Sequence, residues 1–183
     1  VLIIPSWLQD LAGAWMFYTT LPKWPLINPS FKRIARFAPL IGLFIGTIQS
    51  ISWLILFQNG WPKEALAIIS IAIAIWLTGG LHFDGLMDTA DGIAAGEQKR
   101  LKAMKDSNIG ASGIQAFFLV LAIQLAALIK LGNSAPIAFP IAAFWGRVSS
   151  IWAIENFPYL HQKITSDLHK VYWKGFQSEI KPA

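Results

Sequence analysis

Three aspartates and a histidine, His82, Asp84, Asp88 and Asp91, follow directly on seventeen almost wholly apolar residues, Ala65 to Leu81. Ionisable groups at the edge of an apolar segment of that length are costly and mark an ion, proton or substrate site. On a helix of about 100° per residue, positions 84, 88 and 91 fall within roughly 60° of one another. At separations of about 6 Å and an effective dielectric of about 20, each pair of such carboxylates repels by roughly 2 to 3 kcal/mol. A divalent cation relieves that repulsion most directly. Oxygen donors without thiols favour Mg²⁺ or Mn²⁺ over zinc, and magnesium shared between carboxylates and phosphate oxygens is the usual arrangement for phosphoryl transfer.

The surrounding residues fit that chemistry. Five of the ten acidic residues lie between Asp84 and Asp106, with Lys99, Arg100, Lys102 and Lys105 among them, and seven of the fourteen glycines lie between Gly79 and Gly113. His82 has the chemistry to accept a proton from an attacking hydroxyl or to donate to a phosphate; an interfacial histidine with no catalytic part explains it equally well. Lys105, Asp106 and Ser107 precede Gly110 and Gly113, a pattern of lysine, hydroxyl and flexible backbone suited to phosphate. Arg147 falls within an apolar run, where an unpaired cation is expensive, so it is expected to point toward a carboxylate or a bound phosphate. The alternative for the aspartates is helix capping, by Asp84 at one helix start and by Asp106 or Ser107 at the next.

These residues need elements to position them, and the composition says what kind. With 55% hydrophobic residues, 14% charged and a mean hydropathy of +0.50, the 183-residue chain is too apolar for an ordinary soluble domain. The expected fold is all-α: a polytopic integral membrane bundle of about four spans, 39–57, 65–81, 111–131 and 135–157, each near the roughly 20 residues that cross a bilayer. Residues 1–38 are expected to form an interfacial lead-in, 82–110 a cytoplasmic acidic loop, and 158–183 a cytoplasmic tail that includes His161 and His169, to which no role is assigned. Gly42 and Gly46 form a G-x-x-x-G pair that lets a neighbouring helix come close.

Lys and Arg cluster before 39, between 82 and 110, and after 157, while the connections near 58–64 and 132–134 carry few. By the positive-inside rule both ends and the acidic loop face the cytoplasm. In the lead-in, Ser6 and Gln9 have capping-box spacing, with Trp7, Leu8, Leu11, Trp15 and Tyr18 along one side of the helix they would start. Residues 31–37 read as a basic turn for the headgroup layer. The net charge of +5 suits anionic lipid or phosphate-bearing substrates; no long basic run points to nucleic acid. Without cysteine there is neither disulfide nor thiol chemistry, and no basic flank precedes the apolar start, so no secretory signal is expected.

The stretch from Gly79 to Gly92, the stretch from Arg100 to Gly113, the segment Phe17 to Pro22 and the segment Arg36 to Gly46 together resemble the cobalamin synthase family, the adenosylcobinamide-GDP ribazoletransferases. That resemblance implies a membrane enzyme that joins α-ribazole, or its 5′-phosphate, to adenosylcobinamide-GDP with release of GMP and with Mg²⁺ as cofactor. It implies Asp84, Asp88 and Asp91 as metal ligands, His82 as base and Lys105 as a phosphate contact. A bacterial or archaeal plasma membrane, and further spans beyond Ala183, are implied as well. A rival is a CDP-alcohol phosphotransferase, whose D-x-x-D-G-x-x-A half is present from Asp88 to Ala95, although Gly96 replaces its arginine and its second half is missing. A third reading, a cation-coupled transporter, asks for charges near the bilayer midplane; here they follow the second span.

Overall fold

The computed structural model describes residues 4–158 and 172–179, and among these every regular element is helical. They divide into two compact units, one formed by the chain up to Ser50 together with the described residues from Pro136 onward, the other by Ile51–Ala135.

In the first unit, α1 (Ser6–Tyr18) leads to a 3-10 turn (Ala35–Phe37) and the first part of α2 (Ala38–Gln58), followed in sequence much later by α7 (Ala135–Asn156) and a single turn, Phe176–Glu179. α1 begins one residue earlier than the capping box requires: Pro5 is its N-cap, and no side chain caps it. Proline fits there because a helix start has unpaired amides to spare and its φ is already set. The buried residues of α1 are Asp10, Ala12, Gly13, Ala14 and Tyr18, so of the expected stripe only Tyr18 is buried. The carboxylate of Asp10 explains the difference, since it accepts from Ser30 Oγ at 2.7 Å and pairs with Arg36 at 3.1 Å. Arg33 likewise makes a two-pronged pair with Glu179, at 2.9 and 2.7 Å. The basic turn at 31–37 is therefore spent largely on its own chain rather than left free for headgroups.

Where α2 meets α7, the glycine pair does what its spacing predicts. A Cβ at Gly42 would sit 2.4 Å from the Ala143 carbonyl oxygen, and one at Gly46 2.5 Å from Pro140 Cα. Pro140 lies inside α7 and, lacking an N–H, leaves the carbonyl of Pro136 without its helical partner. Ser50 Oγ donates to that carbonyl, the kind of internal repair an apolar environment demands.

The second unit holds the end of α2, then α3 (Lys63–Thr78), α4 (Leu81–Ala94), the short α5 (Arg100–Ala103) and α6 (Ala111–Leu131), which a 3-10 turn (Gly132–Ser134) follows. α6 is the axis on which α4 and α3 pack, and α5 lies against α4. Lys63, at the start of α3, lies beside Gly132 at the end of α6, its Nζ 3.1 Å from where a Cβ there would be.

Membrane-crossing length is found in two stretches of the described residues, Ala35–Gln58 and Ala111–Asn156. The second, 46 residues or about 69 Å of helix, is more than twice what a bilayer needs, and the turn at 132–134 divides it into helices of 21 and 22 residues. The expected span 65–81 needs correction. α3 has 16 residues and ends at Thr78, about 24 Å, short of the roughly 30 Å hydrocarbon core. It reaches that length only together with α4, from which it is bent by 89°. The bend is built from Gly79 and Gly80, at φ 61° and 76°, a left-handed region that glycine enters without penalty. Their amides return to the α3 carbonyls of Trp76 and Ile75 at 3.2 and 2.9 Å, closing the helix end. The expected loop 82–110 is thus helical over its first half.

Candidate active site

α4 carries the acidic residues, and the helix sorts them. Phe83, Met87 and Asp91 recur at four-residue spacing on the side that meets α6: Phe83 stacks edge-on with Phe117, ring centres 4.9 Å apart, and Met87 lies against Gly113. Asp84 and Asp88 lie one step further round and turn outward, Asp84 exposed and Asp88 half-buried. The three carboxylates that the heptad-like spacing groups together are therefore split two and one.

Asp91 is occupied. One carboxylate oxygen accepts the Gly110 N–H at 2.7 Å and the other the Gly113 N–H at 2.8 Å. These amides open α6, whose N-cap, Gly110, has no side chain to offer; Asp91 caps the helix from its neighbour, where the helix dipole favours negative charge.

Asp84 and Asp88 are unoccupied by protein: neither has a hydrogen bond or ion pair among the described residues. Partial burial, then the negative charges of Asp84 and Asp91, hold the Asp88 carboxyl above its ordinary pKa. No group of three or more His, Asp or Glu side chains among the described residues converges into a metal cage. Two oxygen donors one helical turn apart nonetheless fit Mg²⁺, which binds through one or two carboxylates and completes its shell with water and substrate phosphate. His82, also exposed, belongs to the same helix but lies about 160° round from Asp84 and about 120° from Asp88, which turns it away from the pair. Its expected part as base in a shared site loses its geometric support.

The segment after α4 brings Lys105 and Ser107, both exposed. Asp106 is used locally. It accepts from the backbone and side-chain nitrogens of Asn108 at 3.0 and 2.7 Å, bonds that, with the charge of Lys102, hold its pKa below the ordinary value. Neither Asp106 nor Ser107 caps α6, and Asp84 lies within the first turn of α4, whose N-cap is Gly80.

Arg147 belongs to the first unit. It is buried at 7% exposure; its Nη1 donates to Ala143 O at 3.0 Å and its Nε has no partner among the described residues. The expected carboxylate is absent among the described residues. Nearby, burial raises the pKa of the Tyr18 phenol, with the positive charge of Arg147 opposing the rise. His161 and His169 lie outside the described residues.

Gly85 and Gly92, each costing a helix about 1 kcal/mol relative to alanine, are where the sequence points to close approach by a ligand or another backbone; Gly92 is approached, by side chains, whereas Gly85 stands open, and the seats at Gly110 and Gly113 were missed. A Cβ at Gly92 would meet Met104 Cγ at 2.5 Å, one at Gly110 the Asp91 Oδ1 at 2.4 Å, and one at Gly113 the Asp91 Oδ2 at 2.6 Å. The signal was present: two glycines three residues apart at a helix start that lacks a capping side chain.

The model of the family described as cobalamin-5-phosphate synthase matches residues 10–180. Among curated proteins, an adenosylcobinamide-GDP ribazoletransferase of Prochlorococcus marinus strain SARG is 55% identical over 180 residues, 98% of this chain and 70% of that protein. The protein of the same name from strain MIT 9313 is 53% identical over 178 residues, 96% of this chain and 68% of its own length. One from Synechococcus sp. strain PCC 6301 is 35% identical over 170 residues, 91% and 66% respectively. No solved structure matches. With the family model spanning nearly the whole chain and relatives above half identity, the chain belongs to the cobalamin-5-phosphate synthase family.

Proposed function

We propose that this chain joins adenosylcobinamide-GDP to α-ribazole, or to its 5′-phosphate, with release of GMP, and that it does so with Mg²⁺ held by Asp84 and Asp88 on the cytoplasmic side of a bacterial plasma membrane. The names of the relatives supply the substrates. The observation that carries the site is the Asp84–Asp88 pair itself: two neighbouring carboxylates, unpartnered among the described residues, at the α6 end opposite Lys63. The 21 residues of α6 rise about 32 Å, a bilayer core's thickness, which supports reading the pair as lying toward a membrane surface, within reach of a soluble nucleotide.

In the reaction a ribazole hydroxyl oxygen bonds to the phosphorus attached to cobinamide and gives up its proton to solvent, and the bond from that phosphorus to the oxygen of GMP breaks. Bound at the pair, the ion would neutralise the diphosphate and the departing GMP. Asp84 and Asp88 fix where that positive charge stands. Lys105, exposed and unpaired among the described residues, meets phosphate oxygens as a mobile point charge. The clustering of basic residues beside the acidic helix supports the cytoplasmic assignment.

The test uses the protein in detergent with adenosylcobinamide-GDP, α-ribazole and Mg²⁺. GMP release coupled to ribazole consumption is expected, and it falls by about 10³-fold or more in Asp84→Asn, the scale of losing a principal electrostatic contact. Consumption of a CDP-alcohol in place of these substrates contradicts the proposal, as does release unaffected by Asp84→Asn.

A further inference from the structure

We infer that Asp91 is a positioning residue rather than a metal ligand: it ties α4 to the start of α6 and so fixes the frame of the segment 95–109, which carries Lys105. The inference rests on the reading of Asp84 and Asp88 as the metal pair. Asp91 spends both oxygens on the amides of Gly110 and Gly113, at 2.7 and 2.8 Å. Both glycines are needed for it, since a methyl group at either would lie within 2.6 Å of the carboxylate. The next residue makes the second attachment. Gly92 is buried, and Met104 and Arg100 pack so close to it that a Cβ there would force the Met104 side chain to shift, seating α5 on α4. Adjacent residues of one helix thus hold the basic segment at two points: Asp91 at its α6 end, Gly92 at α5 within it. Charge-assisted bonds to a helix start are strong ones, so the segment is preorganised before any phosphate arrives.

The distinction is measurable, because a tie and a ligand fail differently. Asp91→Asn keeps one acceptor and places an NH₂ group against the other amide. Hydrogen exchange at Gly110 and Gly113 is expected to speed by about 10-fold or more, and KM for adenosylcobinamide-GDP to rise by about 10-fold, while the Mn²⁺ dissociation constant measured by EPR stays within about 3-fold. Gly113→Ala removes no carboxylate and should produce the same rise in KM with the same Mn²⁺ affinity. Combined with Asp91→Asn it should add little, as expected when two changes break one interaction. The inference is overturned if Asp91→Asn weakens Mn²⁺ binding as much as Asp84→Asn does, with exchange at Gly110 and Gly113 unchanged. If Mn²⁺ affinity is indifferent to Asp84, Asp88 and Asp91 alike, the metal reading fails by itself. Exchange then judges the tie alone: faster exchange in Asp91→Asn upholds it, and unchanged exchange overturns it.

Discussion

The two units treat their carboxylates in opposite ways. In the first, Asp10 and Glu179 are buried and matched to Arg36 and Arg33; in the second, Asp84 and Asp88 stand side by side with no basic partner among the described residues. A buried matched pair is costly to make and more costly to break, so it serves to fix structure. An unmatched pair held at a helix surface adds repulsion to the folded state and gives nothing back until a ligand binds. Asp91 stands between the two cases: it shares the acidic helix but is satisfied by backbone amides.

The largest difference should appear in activity. Asp84→Asn and Asp88→Asn are expected to lose about 10³-fold or more of GMP release with no loss of fold, checked by gel filtration and circular dichroism. Asp10→Ala should do the reverse, destabilising the first unit by about 3 to 5 kcal/mol, the cost of stranding a buried partner. A thermal unfolding midpoint unchanged in Asp10→Ala would dissolve the comparison.

A smaller effect concerns pH. The Asp88 carboxyl is held above its ordinary pKa by partial burial and by Asp84 and Asp91. The native state therefore keeps this proton longer than the unfolded chain, and without metal, stability falls as pH rises from the ordinary carboxylate value through the raised one. Melting in EDTA across that window should show the fall in the parent and a flatter profile in Asp88→Asn. Smaller still, His82→Ala should cost less than the roughly 10²-fold at the low end of general acid–base catalysis, since the residue faces away from the pair. For topology, single cysteines at Lys63 and Glu97 should label from opposite sides of the membrane.

Much of this was legible in the sequence, for reasons particular residues make plain. The helices 38–58, 111–131 and 135–156 follow apolar runs whose ends are marked by charge and glycine, and the G-x-x-x-G pair packs as its spacing predicts. The i, i+4, i+7 aspartates do share a helix. Spacing alone left their division open, because 84 and 91 differ by only about 20° in projection, and which of them faces a neighbour depends on where α6 lies. The same holds for Asp10. Its burial depends on Arg36 arriving from 26 residues away, a tertiary fact with no local signal. The span expected at 65–81 overran because hydropathy continues through the two glycines that end α3.

The central claim is that Asp84 and Asp88 hold the reaction's metal, and the chain's lack of cysteine allows a direct test. Asp88→Cys, in an otherwise thiol-free chain, should be inactive with Mg²⁺, which thiolates bind poorly, and regain GMP release with thiophilic Cd²⁺. Full activity of Asp88→Cys in Mg²⁺, or identical metal preference in parent and variant, would contradict the account.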